Sequence, residues 1–214
     1  MYMWLLIGVA VGALIIWSAW GYFSSRVEQA QYRVVRKEEG YEVREYAPHV
    51  EARVVIAGPY RTALNDGFRI IANYIFGNNI SKVKITMTAP VIAQRHEEPT
   101  SEKIAMTAPV LAEGFGDVAH TISFIMPKQY SLATLPSPKD PRVTLLELPA
   151  HKMAALRFRG YTSAKRTKEM EKKLFDRLTH DGVTITGAPR YAGYNAPWTP
   201  PWLKRNEILV PIES

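Results

Sequence analysis

The chain lacks cysteine: none occurs among its 214 residues. Disulfide bonds, thiolate metal sites and cysteine nucleophiles are therefore excluded in any compartment. The sequence also has no Gly-x-Ser-x-Gly nucleophile elbow, no His-Glu-x-x-His zinc motif, no Gly-x-Gly-x-x-Gly turn opening a helix and no P-loop. Its carboxylates are scattered, and its five histidines are far apart without metal-ligand spacing. These absences favour a non-catalytic binding protein over an enzyme.

Charge is missing from the N-terminal segment, MYMWLLIGVAVGALIIWSAWGYFSS. Residues 2–23 are almost wholly apolar, and a helix needs about 20 such residues to cross a bilayer core. Trp4 near one end, with Trp17 and Trp20 near the other, suits the aromatic belts of membrane interfaces. We therefore predict a single transmembrane anchor at residues 1–25, in contact with the lipid bilayer through residues 2–23. A cleaved signal peptide is the alternative, although such peptides normally begin with basic residues and end in small ones.

The basic residues that follow the anchor predict its orientation. Arg26, Arg33 and Arg36 come soon after the span, and no cationic side chain precedes it. The positive-inside rule then places the rest of the chain in the cytoplasm, with the periplasmic side as the alternative. We expect a short linker at residues 26–31 and one domain at residues 32–214.

The net charge of +7 does not by itself indicate nucleic acid as a partner. The cations are spread along the domain and interleaved with acids, as in KRTKEMEKK at residues 165–173. Such spacing is typical of a solvated helix face. Attraction to an anionic membrane surface is the weaker second interpretation. We predict no nucleic-acid partner.

Hydrophobic periodicity predicts an α+β domain in two related halves. In the first half, alternation indicates strands at residues 32–37, 41–46 and 50–58, of which the first two form a hairpin. A stripe spaced at helical intervals then predicts a helix starting near Thr62 and ending near Gly77. The second half repeats this order. Its strands are expected at residues 142–148, 152–161, 189–194 and 207–212, with a helix at residues 164–181.

A repeated phrase falls between the first helix and the next strand. KITMTAPV occupies residues 84–91, and KIAMTAPV occupies residues 103–110. In strand conformation each copy places its Ile, Met, Ala and Val on one face. Two strands joined by a polar loop would present Met87 and Met106 in similar settings. Methionine suits both a core and the lining of an apolar ligand pocket, and both interpretations remain open.

Several separated motifs resemble one family when taken together in order. They are YEVREYAP, GFRIIANYIFGNN, the two KIxMTAPV copies, AGYNAPW and KRNEI. The combination resembles the SOUL/heme-binding protein family over residues 32–212, and the doubled phrase resembles that of bacterial members. The resemblance implies a distorted antiparallel β-barrel flanked by two helices. It also implies non-covalent binding of heme or another tetrapyrrole, without a common reaction.

The resemblance places the porphyrin in an apolar groove beside the first helix. Carried over by position, Phe68 and Ala72 lie on the groove wall. Asn65 and Asn73 stand where the family has basic groups near the propionates, and Arg69 or Arg61 could substitute for them. The position of a proposed axial histidine is Glu45 here, so that ligation is not available. His49, Met87 and Met106 stay open as iron ligands, and heme held by apolar contact alone is also possible.

The loop YNAPWTPPWLKRNE, residues 194–207, gives the last candidate. Its three prolines exclude a continuous helix and fit poorly in a central strand. Trp198 and Trp202 then have two interpretations: they cap the end of the barrel, or Trp198 stacks on a bound macrocycle. In the second case Lys204 or Arg205 would be available to a propionate.

We therefore expect a membrane-anchored, non-catalytic protein that carries, buffers or senses heme or a related tetrapyrrole. The alternative is a tethered effector-binding or protein-interaction module for another apolar ligand. An enzyme of tetrapyrrole metabolism ranks third, because no residue can be given a catalytic role. The sequence indicates neither a protein partner nor an oligomeric state.

Overall fold

The computed structural model describes residues 2–82, 100–114 and 119–213. Its helices are α1 (Tyr2–Ser24), α2 (Tyr60–Ile75) and α3 (Ala164–His180). Its strands are β1 (Glu28–Gln29), β2 (Tyr32–Glu38), β3 (Tyr41–Tyr46), β4 (His49–Ala57), β5 (Asn79–Ile80), β6 (Thr107–Ala108), β7 (Val110–Glu113), β8 (Ala119–Ile125), β9 (Ser137–Pro138), β10 (Thr144–Leu148), β11 (His151–Phe158), β12 (Arg190–Gly193) and β13 (Asn206–Pro211).

Nine of these strands form one antiparallel sheet in the order β10-β4-β8-β7-β12-β13-β11-β3-β2. The sheet curls into a half-barrel, and its outer strands β10 and β2 are not paired with each other. Two short pairs lie beside it, β1 with β6 in parallel and β5 with β9 in antiparallel. The predicted α+β class with an antiparallel sheet is confirmed, and the predicted hairpin is β2–β3.

The strand order shows the duplication directly. One half is β3, β4, α2, β7 and β8, and the other is β10, β11, α3, β12 and β13. Outward from the central β7–β12 pair, one side runs β8, β4, β10 and the other runs β13, β11, β3. The first strand of each half therefore pairs with the second strand of the other half. This exchange joins the two halves into one sheet.

Helices α2 and α3 cover one face of the sheet, which we call the helix face. Ile71 and Ile75 of α2, and Leu174 and Leu178 of α3, are fully buried in the core on this face. Helix α2 lies close to β4 and β8 because residue 67 is glycine: a Cβ there would fall 2.5 Å from Ile122 Cγ1. Removing these side chains from water is the main force that holds the helices on the sheet.

The ends of α2 differ partly from their prediction. Its N-cap is Pro59, which has φ −60° and makes no side-chain capping bond, so the helix begins at Tyr60 and Thr62 lies inside it. Proline has no N–H to donate, so it fits a position before the first turn, where backbone N–H groups lack helical partners. The predicted stop at Gly77 is confirmed, since its φ of 118° is one that other residues rarely adopt.

The second copy of the repeated phrase is described, whereas the first copy, residues 84–91, lies outside the described residues. The described copy is not one regular strand, because Pro109 separates β6 from β7 and has no N–H to give to a sheet ladder. Ile104 and Met106 pack with the core of the helix face, but Ala108 packs with a second cluster. The predicted common face for this copy is therefore wrong at Ala108.

The opposite face of the sheet, which we call the concave face, combines apolar groups with buried charges. Its second apolar cluster includes Tyr46, Leu111 and Leu209. Glu51 and Glu207 are both completely buried among these side chains. Strand alternation predicts such a two-sided sheet, but a buried carboxylate needs a cation within hydrogen-bonding distance to remain there.

Candidate functional site

The outer surface of α2 carries an exposed apolar stripe. It consists of Phe68 and Ala72 of α2 and of Phe76, the C-cap residue directly after the helix. The three are spaced at intervals of four residues and extend about 12 Å along the helix axis. Phe68 and Phe76 are 39% and 58% exposed, whereas Ala72 is buried. The ring of Phe68 lies 5.2 Å from that of Phe124 in the core, at 56°. We call these three residues the α2 stripe; it presents aromatic surface on a well-packed base.

Polar and cationic side chains flank the α2 stripe. Arg61, Asn65, Arg69 and Asn73 are all exposed. The Arg69 guanidinium approaches Asp66 at 4.0 Å but stays largely in water. Arg61 makes no ion pair within the described ranges. Such cations can reach an anionic substituent on a body that rests against the stripe, and a solvent-exposed ion pair as long as that of Arg69 is weak enough to exchange.

Of the two candidate methionines, Met87 and Met106, the second lies near the C-terminal end of α2. The Ile104 N–H donates to the Ile75 carbonyl over 2.8 Å, which ties this segment to the helix end. Met106 is half-buried and packs against the core of the helix face. Met87 lies outside the described residues. The structure thus brings Phe68, Arg69 and Ala72 together on α2, with Met106 next to the end of that helix.

Trp198 makes its described contacts with α1. Its indole Nε1 donates to Ser24 Oγ over 3.3 Å, and its carbonyl accepts from Trp17 Nε1 over 2.8 Å. Stacking of Trp198 on a macrocycle therefore stays a prediction, and none of the contacts described for Trp198 connects it to α2. Arg205 binds the buried Glu207, and Lys204 donates to the Ala196 carbonyl. Both cations are already engaged.

A pair of histidines at the rim of the concave face was not predicted. His49 and His151 are the first residues of β4 and β11, which are equivalent strands of the two halves. Their ring centroids are 5.5 Å apart. Each Nδ1 lies 2.8 Å from the carbonyl two residues earlier, that of Ala47 or Pro149. Since a carbonyl only accepts, each Nδ1 carries a proton.

The two histidines differ in what their Nε2 atoms meet. That of His49 lies 3.4 Å from a Glu51 carboxylate oxygen, a distance that makes an ion pair when the ring is protonated. His151 instead stacks on Tyr46, with centroids 5.7 Å apart. Burial lowers the pKa of His151, and the charge of His49 lowers that pKa further. The sequence signal was the parallel between Ala-Pro-His and Pro-Ala-His at the starts of matching strands, which the duplication alone makes visible.

Two cavities lie beside this pair. One, of about 310 Å³, is lined in part by His49, Thr107 and Tyr130. The other, of about 390 Å³, is lined in part by Tyr32 and Tyr46. Both are lined by Gln31 and Ala47, so these two residues stand between them. Each volume is near the lower end of the range for small-molecule sites.

The buried charges of the concave face are mutually satisfied. Glu51 accepts from both terminal nitrogens of Arg190 at 2.9 and 2.8 Å. Glu207 accepts from Arg44 at 2.7 Å and from Arg205 at 2.9 Å. Burial opposes ionisation, but the hydrogen bond from His49 and the charge of Arg190 hold the pKa of Glu51 below its usual range, and Arg44 and Arg205 do the same for Glu207. A carboxylate held ionised in this way is a poor general acid, and its contacts lie within the fold.

Comparison with known proteins identifies the family of this chain. The SOUL heme-binding protein family matches residues 27–102 and 94–211. The two matches together span most of the chain. The protein therefore belongs to the SOUL heme-binding protein family.

Curated relatives and solved structures add detail at two levels. Heme-binding protein 2 of Homo sapiens is 28% identical over 159 residues, covering 73% of this chain and 71% of the relative. The Mus musculus protein of the same name is 26% identical over 160 residues, covering 74% of this chain and 71% of the relative. The C-terminal domain of EcmrR superposes with a TM-score of 0.56 at 9% identity, over 86% of this chain and 98% of that domain. A Listeria innocua hydrolase superposes with a TM-score of 0.51 at 10% sequence identity, over 84% of this chain and 94% of that protein. At such identities, the structural likeness shows the fold alone.

Proposed function

We propose that this protein is a membrane-anchored, non-catalytic binding protein for heme or a related tetrapyrrole, and that it carries, buffers or senses that ligand. Membership of the SOUL heme-binding family and the similarity to two proteins named heme-binding protein 2 support the ligand class. The single observation that carries the site is the α2 stripe. An exposed aromatic surface on a packed helix is unusual unless something covers it.

The residues around the α2 stripe fit a flat, anionic macrocycle. Phe68 and Phe76 offer ring faces for apolar contact, and Arg61 and Arg69 are positioned to meet carboxylates at its edge. The exposed helix surface described here offers no imidazole or thioether. The chain would therefore hold the macrocycle by covering one of its faces and neutralising its charge. Bound heme would supply an iron centre, which the residues of the α2 stripe would hold by apolar contact and charge rather than by ligation.

The contacts of α1 support an anchor rather than a cleaved signal sequence. Helix α1 has 23 residues and is long and apolar enough to cross a membrane, a property that a signal sequence shares. Its C-terminal part, however, packs on the domain. Gly21 is buried against Pro200, and Trp17 donates to the Trp198 carbonyl. Cleavage would expose the apolar side chains that this contact covers, at a cost that an uncleaved anchor avoids.

Hemin titration of the full chain in detergent tests the ligand and the site together. We expect a saturable Soret change for the native protein. Phe68→Asp should weaken hemin affinity about tenfold, because a charged group replaces aromatic contact surface. Leu132→Asp is the matched control, since Leu132 is 38% exposed and Phe68 is 39% exposed. It should leave the affinity unchanged.

Three outcomes would change the proposal. No saturation at micromolar hemin would remove the tetrapyrrole and favour the second candidate, a tethered module that binds a smaller ligand. The two cavities beside His49 and His151 are the observation that favours this alternative. Equal loss in both Asp variants would show that Phe68 has no specific role. Loss of the Soret change in His151→Ala, but not in Phe68→Asp, would move the site to the concave face.

A further inference from the structure

The proline-rich loop between β12 and β13 is fitted to one side of α1. We call residues 195–204 the tryptophan loop. Thr199 Oγ1 lies 3.4 Å from Ser25 Oγ, and the ring of Trp202 lies 5.4 Å from that of Trp17 in an edge-on arrangement. Trp17 and Gly21 share one side of the helix, and Ser25, directly after its last residue, continues the same spacing of four. The contact is therefore continuous along two turns of α1.

Gly21 makes this close approach possible. It is the buried residue of α1, and a Cβ at this position would fall 2.5 Å from Pro200 Cδ. Thr199, the neighbour of that proline, is completely buried. Complementary shapes on two segments so far apart in sequence indicate a specific packing contact between α1 and the domain.

The loop consequently lies at the depth of the aromatic residues of α1. From Trp17 to Ser24 the helix rises about 10 Å, and this stretch also contains Trp20. Tryptophan at the end of a membrane span collects at the lipid interface. Trp202 and Leu203 of the loop are 45% and 37% exposed there. Apolar side chains that are exposed at this depth face the interfacial region of the bilayer.

A cationic cavity opens at the same place. It has a volume of about 210 Å³ and lies between the end of α1, the end of β11 and the tryptophan loop. Its lining residues are Gly21, Tyr22, Ser25, Arg157, Arg159, Asn195, Trp202 and Leu203. The lining thus contains two guanidinium groups and no carboxylate.

Both guanidinium groups retain N–H donors for an anion. Arg159 donates over 3.4 Å to the Trp202 carbonyl, which places it at the loop. The sheet neighbour of Arg157 is Glu207, whose carboxylate is already held by Arg44 and Arg205. In the part of the chain that the structure describes, neither Arg157 nor Arg159 pairs with an acid. Guanidinium is the side-chain group best suited to bidentate binding of phosphate.

We propose that this cavity binds the phosphate of an anionic phospholipid headgroup, while Trp198, Trp202 and Leu203 enter the lipid interface beside it. Together these contacts hold the domain against the bilayer in one orientation. The inference rests on the membrane anchoring in the proposed function. It commits to a bilayer lipid because the cavity adjoins the helix end where headgroups would surround the chain, and because its charge complements an anionic leaflet.

The absence of cysteine allows a site-specific test with the full chain. A Leu203→Cys variant carrying an environment-sensitive fluorophore is reconstituted into vesicles of phosphatidylcholine, with or without phosphatidylglycerol. We expect a blue shift that grows with phosphatidylglycerol. Adding Arg157→Gln and Arg159→Gln should lower the ratio of docked to undocked molecules about tenfold. Adding Lys165→Gln and Lys173→Gln on α3 removes the same charge elsewhere and should leave the ratio unchanged.

Extraction with alkaline carbonate separates the two hypotheses. A protein that is released from the vesicles has no anchor, which would overturn the proposed anchoring and this inference with it. A protein that stays in the vesicles but shows a water-like fluorophore in both lipid mixtures would overturn this inference alone. An equal loss in the arginine and lysine variants would also overturn it, because general charge attraction would then explain the docking. A label at Leu132→Cys should remain water-like throughout.

Discussion

The two helices that cover the sheet have equivalent places in the two halves but different outer surfaces. Helix α2 and its C-cap residue expose Phe68 and Phe76, whereas α3 exposes charges such as the Lys172–Asp176 pair, at 2.7 Å. Helix α3 also has a capping side chain, because Ser163 accepts from the Arg166 N–H over 3.2 Å. Helix α2 has no such cap. The inner faces of both helices are apolar, so the duplication preserved the core while the solvent faces diverged.

This divergence indicates where a ligand belongs. The outer face of α3 is stabilised by its own ion pairs and needs no cover, but that of α2 leaves aromatic surface in water. The same contrast holds for His49 and His151, of which the first meets a carboxylate and the second does not. In each case one copy of a duplicated position is paired with charged groups of the fold. The other copy, the α2 stripe or the ring of His151, has no such charged partner within the described residues. Four experiments test these differences.

Removing a buried charge should have the largest effect on stability. Glu207→Gln leaves Arg44 with reduced compensation, although Arg44 is only 2% exposed. Breaking a buried pair in this way costs about 3–5 kcal/mol of unfolding free energy. Urea unfolding of the full chain in detergent measures the loss. Asp176→Asn, which breaks the exposed Lys172 pair of α3, is the control and should cost less than about 1 kcal/mol.

The pH dependence of this difference follows from the lowered pKa of Glu207. A carboxyl whose pKa is lower in the folded state adds stability above its unfolded pKa, about 4.3, and loses it as the pH falls through the folded value. The difference in unfolding free energy between the native protein and Glu207→Gln should therefore be constant near neutrality and shrink under acid conditions below about pH 4. A gap that is independent of pH would mean that the variant loses packing rather than charge.

The next largest effect concerns the distance between α2 and the sheet. Gly67→Ala places a Cβ against Ile122 and should destabilise the domain by about 1–3 kcal/mol, even though alanine favours helix by about 1 kcal/mol. Thermal unfolding followed by circular dichroism gives the change. Gly12→Ala in α1, where nothing lies within 4 Å of the added Cβ, is the matched control and should not lower the midpoint. A stabilised Gly67→Ala protein would show that α2 can move outward freely.

Much of this fold could be predicted because its elements are regular and repeated. The matching strand–strand–helix–strand–strand patterns required only local periodicity, and each predicted segment of the second half, from residues 142–148 to 207–212, corresponds to an observed element. The exchange of first strands between halves could not be predicted, since β3 and β10 pair with partners that are distant in sequence. For the same reason the sequence did not predict the His49–His151 pair, the buried Glu51–Arg190 contact or the packing of Trp198 against α1. Each depends on which strands or loops become neighbours, and periodicity does not encode that.

The smallest expected effect is a titration shift at the histidine pair. Burial chiefly lowers the pKa of His151, the Pro149 carbonyl opposes this, and the charge of His49 lowers the pKa further. Glu51 and Arg190 act on the same ring in opposite directions, so their paired charges largely offset each other. We expect NMR titration of the imidazole signals to show His151 protonating below the usual value, and His49→Gln to raise its pKa. His180→Gln, which changes an exposed ring beside Asp181, should leave the His151 curve unchanged. If His49→Gln also leaves it unchanged, the two equivalent histidines are neighbours without electrostatic coupling, and burial alone sets the difference between the halves.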